Sequence, residues 1–267
     1  RDLLPMDKYL VNFHLLDAVS PKIRGTSIVS SLGCNYNCSF CQPTLRAIFG
    51  EKVWVRTPES VVNEIIHLKE TYKIKGFFFH DDIHQVFVDS WGEKFCRLME
   101  KENLDLVFGC NCRVDLLREK PLRELYGVGL RVLHLGVESA SQRILNLLGK
   151  GIRASMISEK FELCKKLGIK TLGFFMLGSP TETEEEIEDT INFASKLNAD
   201  EASFSLTKPL PGTRLYEKFH CSELDFRNYD YYGKGQVNFS QVPYDRLRKL
   251  QRKAILKFYL SHKRFGY

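Results

Sequence analysis

Six times along the chain, a short run rich in Val, Ile or Phe gives way to a polar cluster and then to a stretch of helical periodicity. The runs are Thr26–Leu32, Ile74–Phe79, Leu104–Phe108, Val132–Val137, Ile169–Leu177 and Ala202–Leu206. Continuous apolar runs of this length read as strands buried on both faces of a parallel sheet. The amphipathic stretches between and around them are Ser60–Tyr72, Trp91–Glu102, Leu116–Tyr126, Ser141–Leu148, Ala154–Leu167 and Glu184–Leu197. Pro58 and Thr183 stand where helices should begin, and Gly168 follows a helix end. The pattern predicts an α/β protein built from six βα units. A complete barrel needs eight, so six leave two architectures open: a partial (β/α)6 TIM-like barrel with its helices outside, or a doubly wound sheet. The partial barrel is the expectation carried forward. Residues 1–25 precede the first strand and read as a linker, 26–213 as the core, and 214–267 as a C-terminal extension. That extension is irregular until a helix begins at Tyr244.

The groups with chemical capability gather at one edge. The runs end in Gly33-Cys34, His80-Asp81-Asp82, Cys110-Asn111-Cys112-Arg113, Glu138-Ser139, Gly178-Ser179-Pro180 and Thr207-Lys208-Pro209. In parallel α/β architectures, sites are built at the carboxyl ends of the strands.

Eight cysteines in 267 residues bear on the chemistry. Three fall in Cys34-Asn35-Tyr36-Asn37-Cys38-Ser39-Phe40-Cys41. Disulfide frameworks belong to much shorter secreted chains, and no signal peptide opens this one. Clustered thiols here point to metal and to a reducing, cytoplasmic setting. Soft thiolates at close spacing select zinc or iron–sulfur. A structural zinc site closes with four ligands, commonly two separated pairs, and no second short-spaced pair follows at the usual distance: Cys110 and Cys112 have only one residue between them and come after a different strand. Three thiolates on one loop can instead hold three irons of a 4Fe–4S cubane, leaving the fourth iron open to a ligand.

The Cys-x3-Cys-x2-Cys spacing, with an aromatic before the last Cys and placed after the first strand of a βα repeat, resembles the radical S-adenosylmethionine (SAM) superfamily. Further segments resemble the branch containing cobalamin-dependent radical SAM enzymes and anaerobic magnesium-protoporphyrin cyclases. They are Phe77–Asp82, Leu135–Ser139, Phe175–Thr183 and Pro209–Thr213. The resemblance implies a catalytic role for Cys34, Cys38 and Cys41 as cluster ligands, with SAM chelated by the open iron. Reductive cleavage would then yield a 5′-deoxyadenosyl radical. It implies a small-molecule or metabolite substrate and a reductant such as flavodoxin or ferredoxin. Methylation and oxidative cyclisation are both outcomes within the branch. The opening Arg1–Asp7 looks like the linker that follows an N-terminal cobalamin domain in that branch. The chain starts at Arg1, so the natural start is expected to lie upstream. Cobalamin is therefore expected only through such a domain: the Asp-x-His-x-x-Gly signature is absent, and Asp82-Ile83-His84 fails it because Phe87 stands where Gly is required.

The resemblance also implies roles in SAM binding, each with a plainer alternative. Asp81 or Asp82 could accept from the methionyl ammonium, or cap the following helix. Glu138 could bind ribose hydroxyls or the methionyl end, with Ser139 assisting or merely capping a helix. Arg113 could pair with the SAM carboxylate or with Asp115. Lys150 could face that carboxylate or lie in solvent. Phe40 could pack near adenine or in the core. Gly178 and Pro180 could bring backbone close to adenine or simply form a tight turn. Cys96 and Cys164 fall among apolar helix neighbours and read as inert, while Cys110 and Cys112 could meet substrate or pack.

Two other functions compete. An RNA methylthiotransferase would share the barrel and the loop but add an N-terminal domain with three more cysteines and a C-terminal RNA-binding domain. An electron carrier or zinc-stabilised module would close its metal site with a fourth protein ligand. Net charge is +6, concentrated near the end in Arg246, Arg248, Lys249, Arg252, Lys253, Lys257, Lys263 and Arg264. Leu247, Leu250, Ala254 and Phe258 form an apolar stripe at helical spacing there, so the basic residues are expected to be its solvated face. That argues against a nucleic-acid partner. No apolar run approaches the roughly 20 residues that span a bilayer.

Overall fold

The computed structural model describes residues 3–10, 13–16, 22–41, 44–82, 87, 89–219 and 238–261. Six parallel strands form one sheet: β1 (Gly25–Ile28), β4 (Gly76–Phe79), β5 (Val107–Arg113), β6 (Leu130–Glu138), β7 (Lys170–Leu177) and β8 (Glu201–Leu206). They lie side by side in sequence order. A doubly wound sheet reverses its strand order partway across; this one never does. The order is that of a barrel with its last units missing, and no pairing joins β1 to β8 among the described residues. The architecture is a partial (β/α)6 barrel.

Two departures from the sequence expectation concern strand limits. The run Thr26–Leu32 splits: β1 ends at Ile28, and β2 (Ser31–Leu32) pairs antiparallel with β3 (Trp54–Val55). The run at Leu104–Phe108 only introduces its strand, which continues through Arg113. Cys110 and Cys112 therefore lie inside β5 rather than beyond it.

After a short α1 (Thr44–Phe49), helices α2 (Pro58–Tyr72), α3 (Asp89–Lys101), α4 (Glu119–Gly127), α6 (Ala154–Lys166) and α7 (Glu184–Lys196) cover the outer face. Thr57 caps α2, with Pro58 in the first turn where its missing N–H is no loss. Thr183 and Glu186 close α7 with a reciprocal capping box. Alternation along β4 sends Phe77 and Phe79 outward into the main core, where they pack with Phe95 and Phe108. Phe78 points the other way. It joins Val132, Leu15 and Leu16 in a separate inner cluster.

That inner cluster gives the N-terminal segment a packing role. Leu10 is buried, Leu15 and Leu16 plug the inner face of the sheet, and the Leu15 carbonyl lies 3.0 Å from Nε2 of His134 on β6. Phe13 bridges Ile23, and Gly25 N–H donates to the Leu10 carbonyl. Leu15 and Leu16, in the segment before the first strand, thus fill part of the barrel interior.

At the other end, α8 (Arg214–Lys218) and α9 (Tyr244–Leu260) complete the described chain. The expected stripe of Leu247, Leu250, Ala254 and Phe258 is buried. Several cations of α9 are paired rather than free. Arg246 bonds Glu184 and Lys253 bonds Glu188, both on α7. Lys263 and Arg264 lie outside the described residues. Among the described residues no helix is long and apolar enough to cross a membrane.

Candidate active site

The cysteine loop leaves β2 at the carboxyl edge of the sheet. Cys34 and Cys38 are half-buried, Cys41 is exposed, and none of the three is in a disulfide. Its backbone is clamped from two sides. Ser39 N–H donates to the Leu148 carbonyl at 2.8 Å, and its hydroxyl reaches the Leu147 carbonyl, both at the end of α5 (Gln142–Leu147). From α8, Arg214 bonds the Asn37 carbonyl, and the Leu215 N–H donates to the Ser39 carbonyl. Phe40 packs against the cluster of Ile144, Leu148 and Leu215, as Met176 does.

No three His, Cys, Asp or Glu side chains among the described residues converge at the spacing of a single ion. A cubane offers a separate iron to each thiolate, so its ligands stand further apart than those of one ion. Three thiols outside any disulfide, on a loop held from two sides, fit that group in softness and in number.

Glu138 and Lys150 supply the charge beside the loop. Lys150 Nζ is 2.8 Å from Glu138 Oε1, and both side chains are buried. The register between β6 and β7 shifts at Gly136/Glu138, and Glu138 adopts φ +69. A bulge of this kind re-aims a side chain. Left-handed backbone at a non-glycine residue costs about 1–3 kcal/mol and persists where the surroundings enforce it. Gly136 leaves the room: a Cβ there would sit 2.6 Å from both Glu138 Oε1 and Lys150 Nζ.

Arg113 ends β5 and is buried. It forms the ion pair with Asp115 that was one of its two expected partners, at 3.0 Å. It also donates to the Lys150 carbonyl at 2.6 Å, stacks over Tyr36 at 3.7 Å and reaches Cys38 Sγ at 3.7 Å.

The two aspartates reach back to the start of the loop. Asp81 is buried and accepts from the Ser30 and Ser31 N–H groups and the Ser30 hydroxyl. Asp82 accepts from Gly33 N–H at 2.9 Å, one residue before Cys34. Both hold the entry to the cysteine loop. Ser139 is buried against Thr190 of α7, and the cap of α5 is Ser141.

Gly178 has φ +79, and a Cβ there would lie 2.5 Å from the Leu247 side chain. The α9 helix thus explains the glycine without any ligand. Pro180 is buried in the same turn. Glu182, to which the sequence reading gave no role, organises that turn: its Oε2 accepts from Gly178 N–H at 2.7 Å and Ser179 N–H at 2.8 Å. Its Oε1 is buried without a hydrogen-bond partner, and burial pushes its carboxyl up to about 7. A Glu four residues after a strand-end glycine was the available signal. Tyr36 was also missed, being one aromatic among many in sequence.

Burial raises the thiols of Cys96 and Cys164 to about 12, and those of Cys110 and Cys112 well above their usual range. These four are packing residues.

Residues 28–194 match the sequence profile of the Radical SAM superfamily. An uncharacterized methyltransferase of Pyrococcus horikoshii is 35% identical over 98% of this chain and 55% of its own length. The anaerobic magnesium-protoporphyrin IX monomethyl ester cyclase of Rubrivivax gelatinosus is 30% identical over 74% of this chain and 36% of its own. The chain therefore spans about half or less of these relatives. Among solved structures, the radical SAM methyltransferase TsrM from Kitasatospora setae, with tryptophan and a SAM analogue bound, superposes with a TM-score of 0.66. It is 21% identical, over 75% of this chain and 39% of that one. At that identity the likeness concerns the fold.

Proposed function

This chain belongs to the radical SAM superfamily, and we propose that it is the SAM-cleaving domain of a larger methyltransferase or oxidative cyclase of the cobalamin-associated branch. The observation that supports this best is the joining of three clustered cysteine thiols to a buried Glu–Lys pair at one edge of the barrel. Cys34, Cys38 and Cys41 would hold a 4Fe–4S cluster. When bound, that group supplies the single electron that breaks the sulfonium bond of SAM, releasing methionine and a 5′-deoxyadenosyl radical.

The remaining work belongs to the chain's own side chains. SAM carries an ammonium and a carboxylate on one carbon. Glu138 and Lys150 carry the opposite charges side by side, so each can take one end of that zwitterion by charge-assisted hydrogen bonds. Phe40 offers an apolar face beside them. Asp81, Asp82 and Ser139 act by fixing backbone, and the Gly178–Pro180 turn lies at the same edge. Lining that excludes water strengthens each of these contacts.

A small-molecule substrate and a flavodoxin or ferredoxin reductant go with this reading, as does a cytoplasmic setting. Cobalamin would be held by a further domain in the whole protein. The short span relative to the Pyrococcus relative supports that division.

The test is anaerobic reconstitution followed by dithionite and SAM. Production of 5′-deoxyadenosine and methionine is expected. Zinc as the only retained metal, with SAM left intact, would overturn the proposal.

A further inference from the structure

Arg113 is a buried cation whose donors reach a sulfur of the cysteine loop. Its Nε and Nη2 donate to the two oxygens of Asp115 at 3.0 and 3.1 Å, and Nη2 also reaches the Lys150 carbonyl at 2.6 Å. The flat face of the guanidinium covers the Tyr36 ring. These contacts leave it a single orientation, and in that orientation Nη1 donates to Cys38 Sγ at 3.7 Å. The group is buried, so its charge is weakly screened.

We propose that Arg113 is a positioning residue that sets the reduction potential of the iron–sulfur cluster through Cys38. The inference rests on the proposed function, since it needs Cys38 to be a cluster ligand. Reduction adds one electron, taken from an external low-potential reductant, and the thiolate sulfurs share the added charge. An N–H donated to such a sulfur, and a positive charge behind it, stabilise the reduced form. Arg113 therefore makes the potential less negative. Asp115 works against it, because its carboxylate offsets part of the guanidinium charge while holding the fork in place. Tyr36 ties the device to the loop itself, two residues before Cys38.

The two charges predict shifts of opposite sign, which a merely structural role would not give. The measurement is the midpoint potential of the anaerobically reconstituted chain, followed by the electron paramagnetic resonance signal of the reduced cluster during titration. Arg113→Gln should shift the midpoint to more negative values. Asp115→Asn should shift it to less negative values, and this variant carries the test if Arg113→Gln fails to fold or to load iron. An unchanged midpoint in an iron-replete Arg113→Gln protein, or a shift to more negative values in Asp115→Asn, overturns the inference while leaving the proposed function intact. A wild-type chain that takes up no cluster overturns both.

Discussion

Lys150 Nζ and Glu138 Oε1 meet at 2.8 Å beneath the surface of the site, in a space kept open by the missing side chain of Gly136. A buried pair of this kind is weak evidence for stability, because desolvation opposes the attraction. Removing one partner is a different matter, since it strands the other charge. Glu138→Gln should therefore destabilise the fold by about 3–5 kcal/mol, and the double variant Glu138→Gln/Lys150→Met should recover much of that loss. Urea midpoints of the three proteins check this. Equal stability of the single and double variants would show that the charges are not coupled.

Gly136→Ala tests the same pair from the backbone. The new methyl would crowd two side-chain ends at 2.6 Å, and overpacking a closed site costs about 1–3 kcal/mol. The pair must separate or tilt. Weaker SAM binding in equilibrium dialysis is the expected result, at a smaller stability cost than Glu138→Gln. Unchanged SAM affinity would remove the pair from the binding machinery.

The cysteine loop makes a compositional prediction. Wild-type chain reconstituted without oxygen should hold about four iron and four sulfide per molecule, the content of one cubane. Alanine at Cys34, Cys38 or Cys41 should abolish it, whereas alanine at the buried Cys164 should not. Iron and sulfide assays decide, and full loading in the three loop variants would rule these residues out as ligands.

The sequence exposed the repeat because each strand buries both faces, which writes an unbroken apolar run. It exposed the cysteine loop because spacing along a single loop survives without a fold. It hid contacts made across the barrel. Glu138 ends a strand and Lys150 follows a helix twelve residues later, and only the bulge at Gly136 and the turn after α5 bring them together. Asp81 and Asp82 looked available because their partners, Ser30, Ser31 and Gly33, lie about fifty residues earlier. Cys110 and Cys112 looked like strand-end groups because the β5 sequence includes glycine, asparagine and cysteine, which carry little strand signal.

The N-terminal segment was hidden for a related reason: a few leucines among polar residues carry no period. In the structure Leu16 is 2% exposed and closes the inner cluster with Phe78 and Val132. Leu16→Ala should cost about 2–5 kcal/mol, as other buried leucine truncations do. Thermal or urea unfolding measures it. A change below about 0.5 kcal/mol, the range typical of surface substitutions, would mean that the segment does not plug the barrel in solution.

Glu182 should make stability depend on pH in a direction opposite to the usual carboxylate. Burial raises its folded-state value from 4.5 to about 7, against the lowering effect of the Ser179 and Gly178 N–H groups. Glu186 adds to the rise, and Arg143 opposes it. Between those two values the folded chain holds a proton that the unfolded chain has released. Stability contributed by the group is thus present at low pH, falls as pH rises through this window, and levels off above about 7. At about 1.4 kcal/mol per unit, the shift corresponds to roughly 3 kcal/mol across the window. Glu182→Gln cannot titrate, yet its carbonyl oxygen can still accept from Gly178 and Ser179. Urea midpoints of the wild type and this variant should therefore diverge in slope through the window and run parallel above it. Comparing the two proteins cancels the titration of every histidine they share. Parallel curves throughout would place the Glu182 carboxyl in its ordinary range and make the orphaned oxygen accessible to water.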